Sequence, residues 1–421
     1  MKLLIRGAGF ENKGAEAMLR VVQQELGKRL PAASFHATVS PLEASYAYRS
    51  GITPVYHEPS VRENLFGMVP FALQIRNFLR SRKNPDFARA VKTNAKAAYE
   101  IHAIKSIHAV VDVSGFYYSD AWGTGGFEYA WPWLEYCKIK QKPYIFLPQA
   151  WGPFEKKAVT RWAKKLCQTA SMVVSRDNES SKYLSGLQVI PNTRLRQAPD
   201  IAFRFHGAPD VTGSTVLKAL GIEGDRPIIG IVPNMQVFKR TAGTGGANQY
   251  VKLLIGLVNY ATSCLKTDVL LVPNEIRVPG SQWPDDRYLC GMIASHAQEP
   301  THCFTLTNYF SSETVKAILG QVDLLIASRF HSLVFALSQG VPVIALGWSH
   351  KYQELLRPFG LEEFIIDHDK LNADKVLTIT EAAWKNREVA RMSILKTLPQ
   401  LQHQVDALFD EVAAILCSEH K

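Results

Sequence analysis

Val322-Asp-Leu-Leu-Ile-Ala-Ser-Arg329-Phe-His331-Ser-Leu-Val-Phe-Ala-Leu-Ser-Gln-Gly340-Val-Pro342-Val-Ile-Ala-Leu346 is the stretch that decides the fold. Val322 to Ile326 is a short apolar run, the pattern of a strand buried on both faces. Phe330 to Gln339 then reads as a helix, with Ser328 placed to cap it and Gly340 to end it. Pro342 opens a second apolar strand, Val343 to Leu346. A strand–helix–strand unit of this kind returns its second strand parallel to the first. Arg329 and His331 fall where the first strand hands over to the helix. A fixed cation and a titratable ring thus sit among the N–H groups of a helix N-terminus, which suits an anion. A surface Arg and a satisfied His at an ordinary turn fit the same spacing.

The alternation extends outward from there. Predicted strands in the second half are Ile228 to Val232, Val269 to Val272, Cys303 to Leu306, Leu324 to Ile326 and Val343 to Leu346. Their ends carry Pro233-Asn234, Pro273-Asn274 and Ser328-Arg329. Trp283-Pro-Asp285-Asp286 opens a helix, and its carboxylates are read as stabilising the positive end of that helix. Ala198-Pro199-Asp200 and the irregular stretch to about Thr212 read as a linker.

In the first half, Leu3 to Ile5 runs into Gly7-Ala-Gly9-Phe-Glu-Asn12-Lys13-Gly14, followed by a helix from about Ala15 to Leu30. A glycine-rich turn there lets backbone approach a ligand, but the spacing is not that of the dinucleotide fingerprint. Ser34 to Ser40, Gly51 to Tyr56, Ala109 to Val113, Tyr144 to Leu147 and Met172 to Ser175 read as strands. Ala109 to Val113 leads through Asp112-Val-Ser114-Gly115 into an aromatic run, Phe116 to Trp122. Ligands of open α/β sheets bind beyond the carboxyl ends of the strands. Gly9, Ser114, Gly115, Gln149, Gly152 and Arg176 all lie at such ends. Turn chemistry accounts for each one separately; their recurrence is the argument.

Composition narrows the function. The chain has 421 residues, 47% apolar and 20% charged, as in soluble globular proteins of two domains. Lys plus Arg number 48 against 38 for Asp plus Glu, a net charge of +10 that suggests an anionic partner. The basic residues are scattered and no aromatic–basic motif occurs, so nucleic acid is not the expected partner. Six widely spaced cysteines without a CxxC pair imply neither a metal site nor a disulfide framework. With no apolar leader and no membrane-length run, the expected location is the cytoplasm, with the inner face of the cell membrane as an option. That option rests on residues 64–83, an apolar stretch with a basic tail. It reads as a core helix or as a contact with anionic membrane or a lipid-linked acceptor. From Leu401 to Leu416 apolar residues fall on one helical face.

Taken together, the motifs resemble the polysaccharide pyruvyl transferases. The carrying residues are Asn12-Lys13-Gly14-Ala15-Glu16, Asp112-Val-Ser-Gly115, Pro148-Gln149-Ala-Trp-Gly152-Pro153-Phe154, Ser175-Arg176-Asp177, Ala198-Pro199-Asp200 and Asp285-Asp286. The most specific are Ser328-Arg329-Phe330-His331 with Gly340-Val-Pro342 and Lys351. Ala15 and Asn274 depart from the Asp and His that many members carry, so no role is transferred to them. The resemblance implies an α/β fold of two Rossmann-like domains facing a cleft, as in GT-B glycosyltransferases. The expected division is 1–205, an acceptor-side domain, 213–370, carrying the donor anion site, and 371–421, a helical segment packing back on the first.

The implied reaction moves pyruvate from phosphoenolpyruvate to a sugar or lipid-linked oligosaccharide, forming a cyclic ketal, without cofactor or metal. Arg329 suits bidentate recognition of the donor's carboxylate or phosphate. Ser328, Arg176, Lys351 and Asn234 complete the expected donor set, with structural ion pairs as the alternative for the cations. Asn12, Lys13, Asp112, Ser114, Gly115 and Gln149 are the expected acceptor set. His331 is the acid or base candidate, because only His titrates near neutrality without large tuning. Asp112 stands next in line as a proton source. A nucleotide-sugar glycosyltransferase and a non-catalytic sugar-binding protein remain the rival readings.

Overall fold

The computed structural model describes residues 1–56, 100–101, 104, 106–188, 194–278, 285–347, 351–367 and 373–418. Residues 64–83 lie outside these, and with them the choice between core helix and membrane contact.

Two parallel sheets organise the described residues. The first joins β1 (Lys2–Arg6), β2 (Ser34–Thr38), β3 (Thr53–Val55), β4 (Ala109–Asp112), β5 (Tyr144–Gln149), β6 (Met172–Ser175) and β7 (Arg194–Gln197) in the order β3-β2-β1-β4-β5-β6-β7. The second joins β8 (Ile228–Val232), β9 (Asp268–Leu271), β10 (Cys303–Thr305), β11 (Leu324–Ala327), β12 (Val343–Gly347) and β13 (Ile365–Asp367) in the order β10-β9-β8-β11-β12-β13. Strands β4, β8 and β11 are buried at every position, as their continuous apolar runs require. Strand order reverses between β1 and β4, and again between β8 and β11. At such points the crossovers leave in opposite directions and open a crevice beyond the strand ends.

Strands β7 and β13 carry no sequence signal of this kind. The first is a mostly exposed Arg-Leu-Arg-Gln edge and the second has three residues, so neither forms a buried apolar run. Much of the stretch read as a linker is ordered: a 3₁₀ turn spans Ile201–Arg204 and a helix begins at Asp210.

The chain divides into two compact units. One comprises Met1–Phe10, Met18–Ile201 and Gln404–Lys421; the other comprises Glu11–Ala17 and Ala202–His403. The first residues of helix α1 (Lys13–Arg29) therefore belong with the second sheet. In the first unit, Asp410 and Glu411 of the last helix receive Arg29 at 2.7 Å and Arg196 at 2.9 Å. Val405, Phe409, Val412 and Leu416 of that helix are buried. Among the described residues no helix is long and apolar enough to cross a membrane.

Candidate active site

In the second unit, β11 ends at Ala327 and helix α2 (Phe330–Leu337) begins three residues later. Gly340, at φ +79°, takes the left-handed turn after the helix that an L side chain resists. Ser328 does not cap the helix as its position suggested; Arg329 occupies the cap position and its side chain makes no capping bond. Ser328 is instead a junction. Its Oγ accepts from Tyr250 Oη at 2.7 Å, and its carbonyl accepts from Asn234 Nδ2 at 2.7 Å and Tyr352 Oη at 3.0 Å. Asn234 also caps the helix Met235–Arg240 through Gln236 N at 2.8 Å. These two expected donor ligands therefore hold the ends of β8 and β11 in register.

Arg329 is buried. Its Nη2 donates to Asp286 Oδ1 at 2.5 Å and to Glu275 Oε2 at 2.9 Å, and its Nε has no partner among the described residues. Burial works against the cation, but Asp286 and Glu275 more than offset it and hold its pKa above the ordinary arginine value. Asp286 is fully enclosed and accepts three further bonds, from the backbone N–H groups of Met235, Asn274 and Glu275. Burial raises its pKa against the pull of Arg329. Only Asp285 does what both carboxylates were read as doing, capping the Asp286–Ala294 helix through Arg287 N at 3.0 Å. Asp286 differs because the fold turns it inward to neutralise Arg329. Beside it, Arg277 bridges Glu275 and Glu11 at 2.5 and 3.0 Å.

His331 sits on the first turn of α2, half-buried. Its ring lies against the backbone of Gly14: a Cβ built there would stand 2.2 Å from His331 Nδ1 and 2.6 Å from its Cβ. The segment is pinned from both sides. Lys13 N donates to Asn274 O at 2.9 Å, while Asn274 Nδ2 donates to Ser332 Oγ at 2.9 Å on α2. Asn12 and Lys13, expected on the acceptor side, thus cluster with the second sheet. Asn12 Oδ1 caps α1 through Gly14 N at 3.0 Å and Ala15 N at 3.3 Å. Lys13 is fully buried, with Nζ 2.7 Å from Glu16 Oε2 and 3.8 Å from the centre of the Tyr309 ring. Burial pushes Glu16 up to about 7 despite Lys13. Lys351 Nζ lies 5.7 Å from the Phe330 ring centre and 5.2 Å from that of Tyr352.

The first unit has its own switch point, between β1 and β4. Asp112 is fully buried and its carboxylate accepts six bonds. Oδ2 receives Arg6, Tyr118 and Tyr144 at 3.3, 3.0 and 2.7 Å. Oδ1 receives Ser114 N and Oγ and Gln149 Nε2 at 3.1, 2.6 and 3.1 Å. Asp112, expected as next in line for proton transfer, is thus engaged by its neighbours through both carboxylate oxygens. Gly7, at φ +80°, lets the β1 turn approach Ser114, whose Oγ would stand 2.0 Å from an added Cβ. Gly115, by contrast, has nothing within 4 Å on its side-chain face among the described residues. Arg176 pairs with Asp200 at 3.0 Å, both nearly enclosed, which is the structural alternative weighed for it. Among the described residues, no group of three or more His, Cys, Asp or Glu could hold a metal ion.

Sequence reasoning overlooked Glu275, Arg6 and the contact made by Gly14. Glu275 and Arg6 could have been found by the rule applied elsewhere, since each lies at the carboxyl end of a buried strand. The Gly14 contact left no local signal.

The family described as polysaccharide pyruvyl transferase matches residues 12–350. The chain belongs to that family. The amylovoran biosynthesis protein AmsJ of Erwinia amylovora is 20% identical over 364 residues, 86% of each chain. Among solved structures, HepE of Anabaena in complex with UDP-glucose superposes with a TM-score of 0.57 at 13% identity, covering 99% of both chains. The UDP-GlcNAc 2-epimerase of Neisseria meningitidis bound to UDP-GlcNAc gives 0.54 at 9% identity, over 98% of this chain and 99% of the other. The fold is that of the GT-B glycosyltransferases and epimerases, and the family is one of transferases of polysaccharide biosynthesis.

Proposed function

We propose that the chain transfers pyruvate from phosphoenolpyruvate to a sugar of a surface polysaccharide or its lipid-linked precursor, forming a cyclic ketal. The observation that carries this reading is the placing of Arg329 and His331 at the β8–β11 switch point, in a chain of the pyruvyl transferase family. The chemistry balances without a cofactor. One sugar hydroxyl adds to C2 of the enol while the methylene carbon takes a proton. A second hydroxyl then replaces phosphate at C2. Of the two hydroxyl protons, one ends in the new methyl group and the other leaves with phosphate.

His331 is the group we assign to proton transfer, and Arg329 is the fixed cation for the donor. Glu275 and Asp286 hold its guanidinium at one orientation, so little ordering remains for donor binding to cost. Lys351 is a second cation near Phe330 on the same unit. Ser328 and Asn234 position α2, and Asn12 and Lys13 position His331. Asp112, Ser114 and Gln149 shape the first unit's switch point, where the open face of Gly115 is the acceptor-side feature.

Phosphate release from phosphoenolpyruvate on adding acceptor sugars tests the reaction. Phosphoenolpyruvate should also raise the melting temperature by mass action, and more than nucleotide sugars do. His331→Ala should lower kcat by about 10²–10⁴-fold with donor binding retained. HepE was solved with UDP-glucose, which favours a nucleotide-sugar glycosyltransferase as the second reading. Tighter binding of UDP-glucose, with transfer of its sugar, would replace the pyruvyl reading by that one.

A further inference from the structure

The aromatic run after β4 is unused by the chemistry above. Tyr118 is its anchor: fully buried, it stacks on Trp151 at 5.0 Å and meets Phe127 and Phe146 edge-on at 5.2 and 5.4 Å. Three backbone bonds fix the run to the loop after β5. Ala150 N donates to Gly115 O at 2.8 Å, Gly152 N to Tyr118 O at 3.0 Å, and Asp120 N to Pro153 O at 3.1 Å. On this frame two rings face outward. Tyr117 is 39% exposed and Trp122 46%, with ring centres 6.1 Å apart at 55°.

Their exposure is built in. The Tyr117 ring lies against the first turn of the helix Gly125–Ile139, where a Cβ on Gly126 would come within 2.7 Å of Tyr117 Cδ1. The Cδ1–Cε1 side of the ring is therefore close to helix backbone. In the same segment Gly115, Gly123 and Gly125 each have nothing within 4 Å on their side-chain face among the described residues. In sequence the pair follows the carboxyl end of β4, one of the two strands between which the order reverses, and open sheets take their ligands beyond such ends.

We infer that Tyr117 and Trp122 form a stacking platform for a hexopyranose ring of the acceptor glycan. The inference rests on the reading that the acceptor is a sugar. A pyranose presents a C–H face that packs on an aromatic ring, and its equatorial hydroxyls stay in water. Tyr and Trp supply rigid contact area at small entropic cost, with a polar edge left solvated. The Tyr117 ring, already held between Gly126 and the buried Tyr118, loses little freedom on binding. Such a platform selects for a pyranose face rather than for one sugar, so it places the acceptor without choosing the hydroxyls that are bridged.

Saturation-transfer NMR titration of the full chain with cellotetraose, lacto-N-tetraose and mannotetraose tests this. At least one should bind in the millimolar range, with saturation strongest on ring C–H protons. Tyr117→Ala and Trp122→Ala should each weaken binding about 3- to 10-fold, the usual worth of one aromatic contact. Tyr117→Phe and Trp122→Phe should restore most of it, because the ring face is retained. Binding by none of the three glycans, or affinity unchanged in both Ala variants, would overturn the platform. So would association with vesicles of mixed zwitterionic and anionic lipid that the Ala variants abolish while glycan binding persists. The phosphoenolpyruvate melting shift, measured on the same variants, separates the two readings. A full shift with no glycan binding refutes the platform alone, and glycan binding without any shift refutes the donor assignment alone.

Discussion

Gly14→Ala isolates the contact on which the proposed proton transfer depends. The new Cβ would stand 2.2 Å from His331 Nδ1, 2.4 Å from Cγ and 2.6 Å from Cβ, whereas ordinary contact begins at 3.4 Å. The shortfall is about 1.2 Å at the ring nitrogen. Rotating the ring cannot relieve it, because His331 Cβ is itself too close; α2 or the start of α1 must shift. Misplacing a reacting group by about 1 Å costs roughly 10²-fold in rate, so kcat for phosphate release should fall by about that factor. Stability should change less. Overpacking costs about 1–3 kcal/mol, and the better helix propensity of Ala returns about 1 kcal/mol. Gly27→Ala on the same helix is the control: its Cβ would meet Phe35 only at 3.8 Å, so it should stabilise α1 and leave kcat alone. Steady-state kinetics and thermal melts on both variants decide the matter. A Gly14→Ala enzyme within threefold of wild-type kcat would refute the positioning of His331 by this contact.

Three further outcomes follow from the buried charges. Asp112→Asn puts an amide before three of six donors and removes the counter-charge of Arg6, so urea denaturation should show a loss of about 3–5 kcal/mol; a loss under about 1 kcal/mol would contradict the hub. Glu16 titrates near 7 in the fold against an ordinary 4.5, a raised value, so its contribution is fully present below about pH 4.5 and lost as pH rises through about 7. Melting temperatures from pH 5 to 8 should therefore fall more steeply in the wild type than in Glu16→Gln, and equal slopes would reject the assignment. Arg329→Lys keeps the charge but loses the Nε–H that is left over when Nη2 alone meets Asp286 and Glu275, so donor KM should rise at least as much as kcat falls; kinetics with unchanged KM would remove Arg329 from the donor site.

The strands are legible in the sequence because parallel strands covered on both faces must be continuous apolar runs. Ile228–Val232 and Leu324–Ala327 announce themselves by composition. The same rule explains the omissions, since β7 is polar and exposed and β13 is too short to carry a pattern. Strand-end position alone also points to Arg329, His331, Asp112, Ser114 and Gln149, because the chain there must turn at a helix start or a crevice.

Local sequence could not say what those residues would face. Arg329 meets Asp286 and Glu275 across 43 and 54 residues of chain, and Arg6 meets Asp112 across 106. Which carboxylate neutralises a buried cation is settled when strands pair, not by neighbours in sequence. For the same reason Asn12 and Lys13 read as part of the first half, while the fold gives Glu11–Ala17 to the second sheet and seats Gly14 on His331. The sequence determined two parallel sheets and the strand ends where chemistry belongs, through apolar periodicity and turn residues. Tertiary structure alone decided the partners at those ends, because buried charge is satisfied through space and the chain brings its donors and acceptors there from far apart.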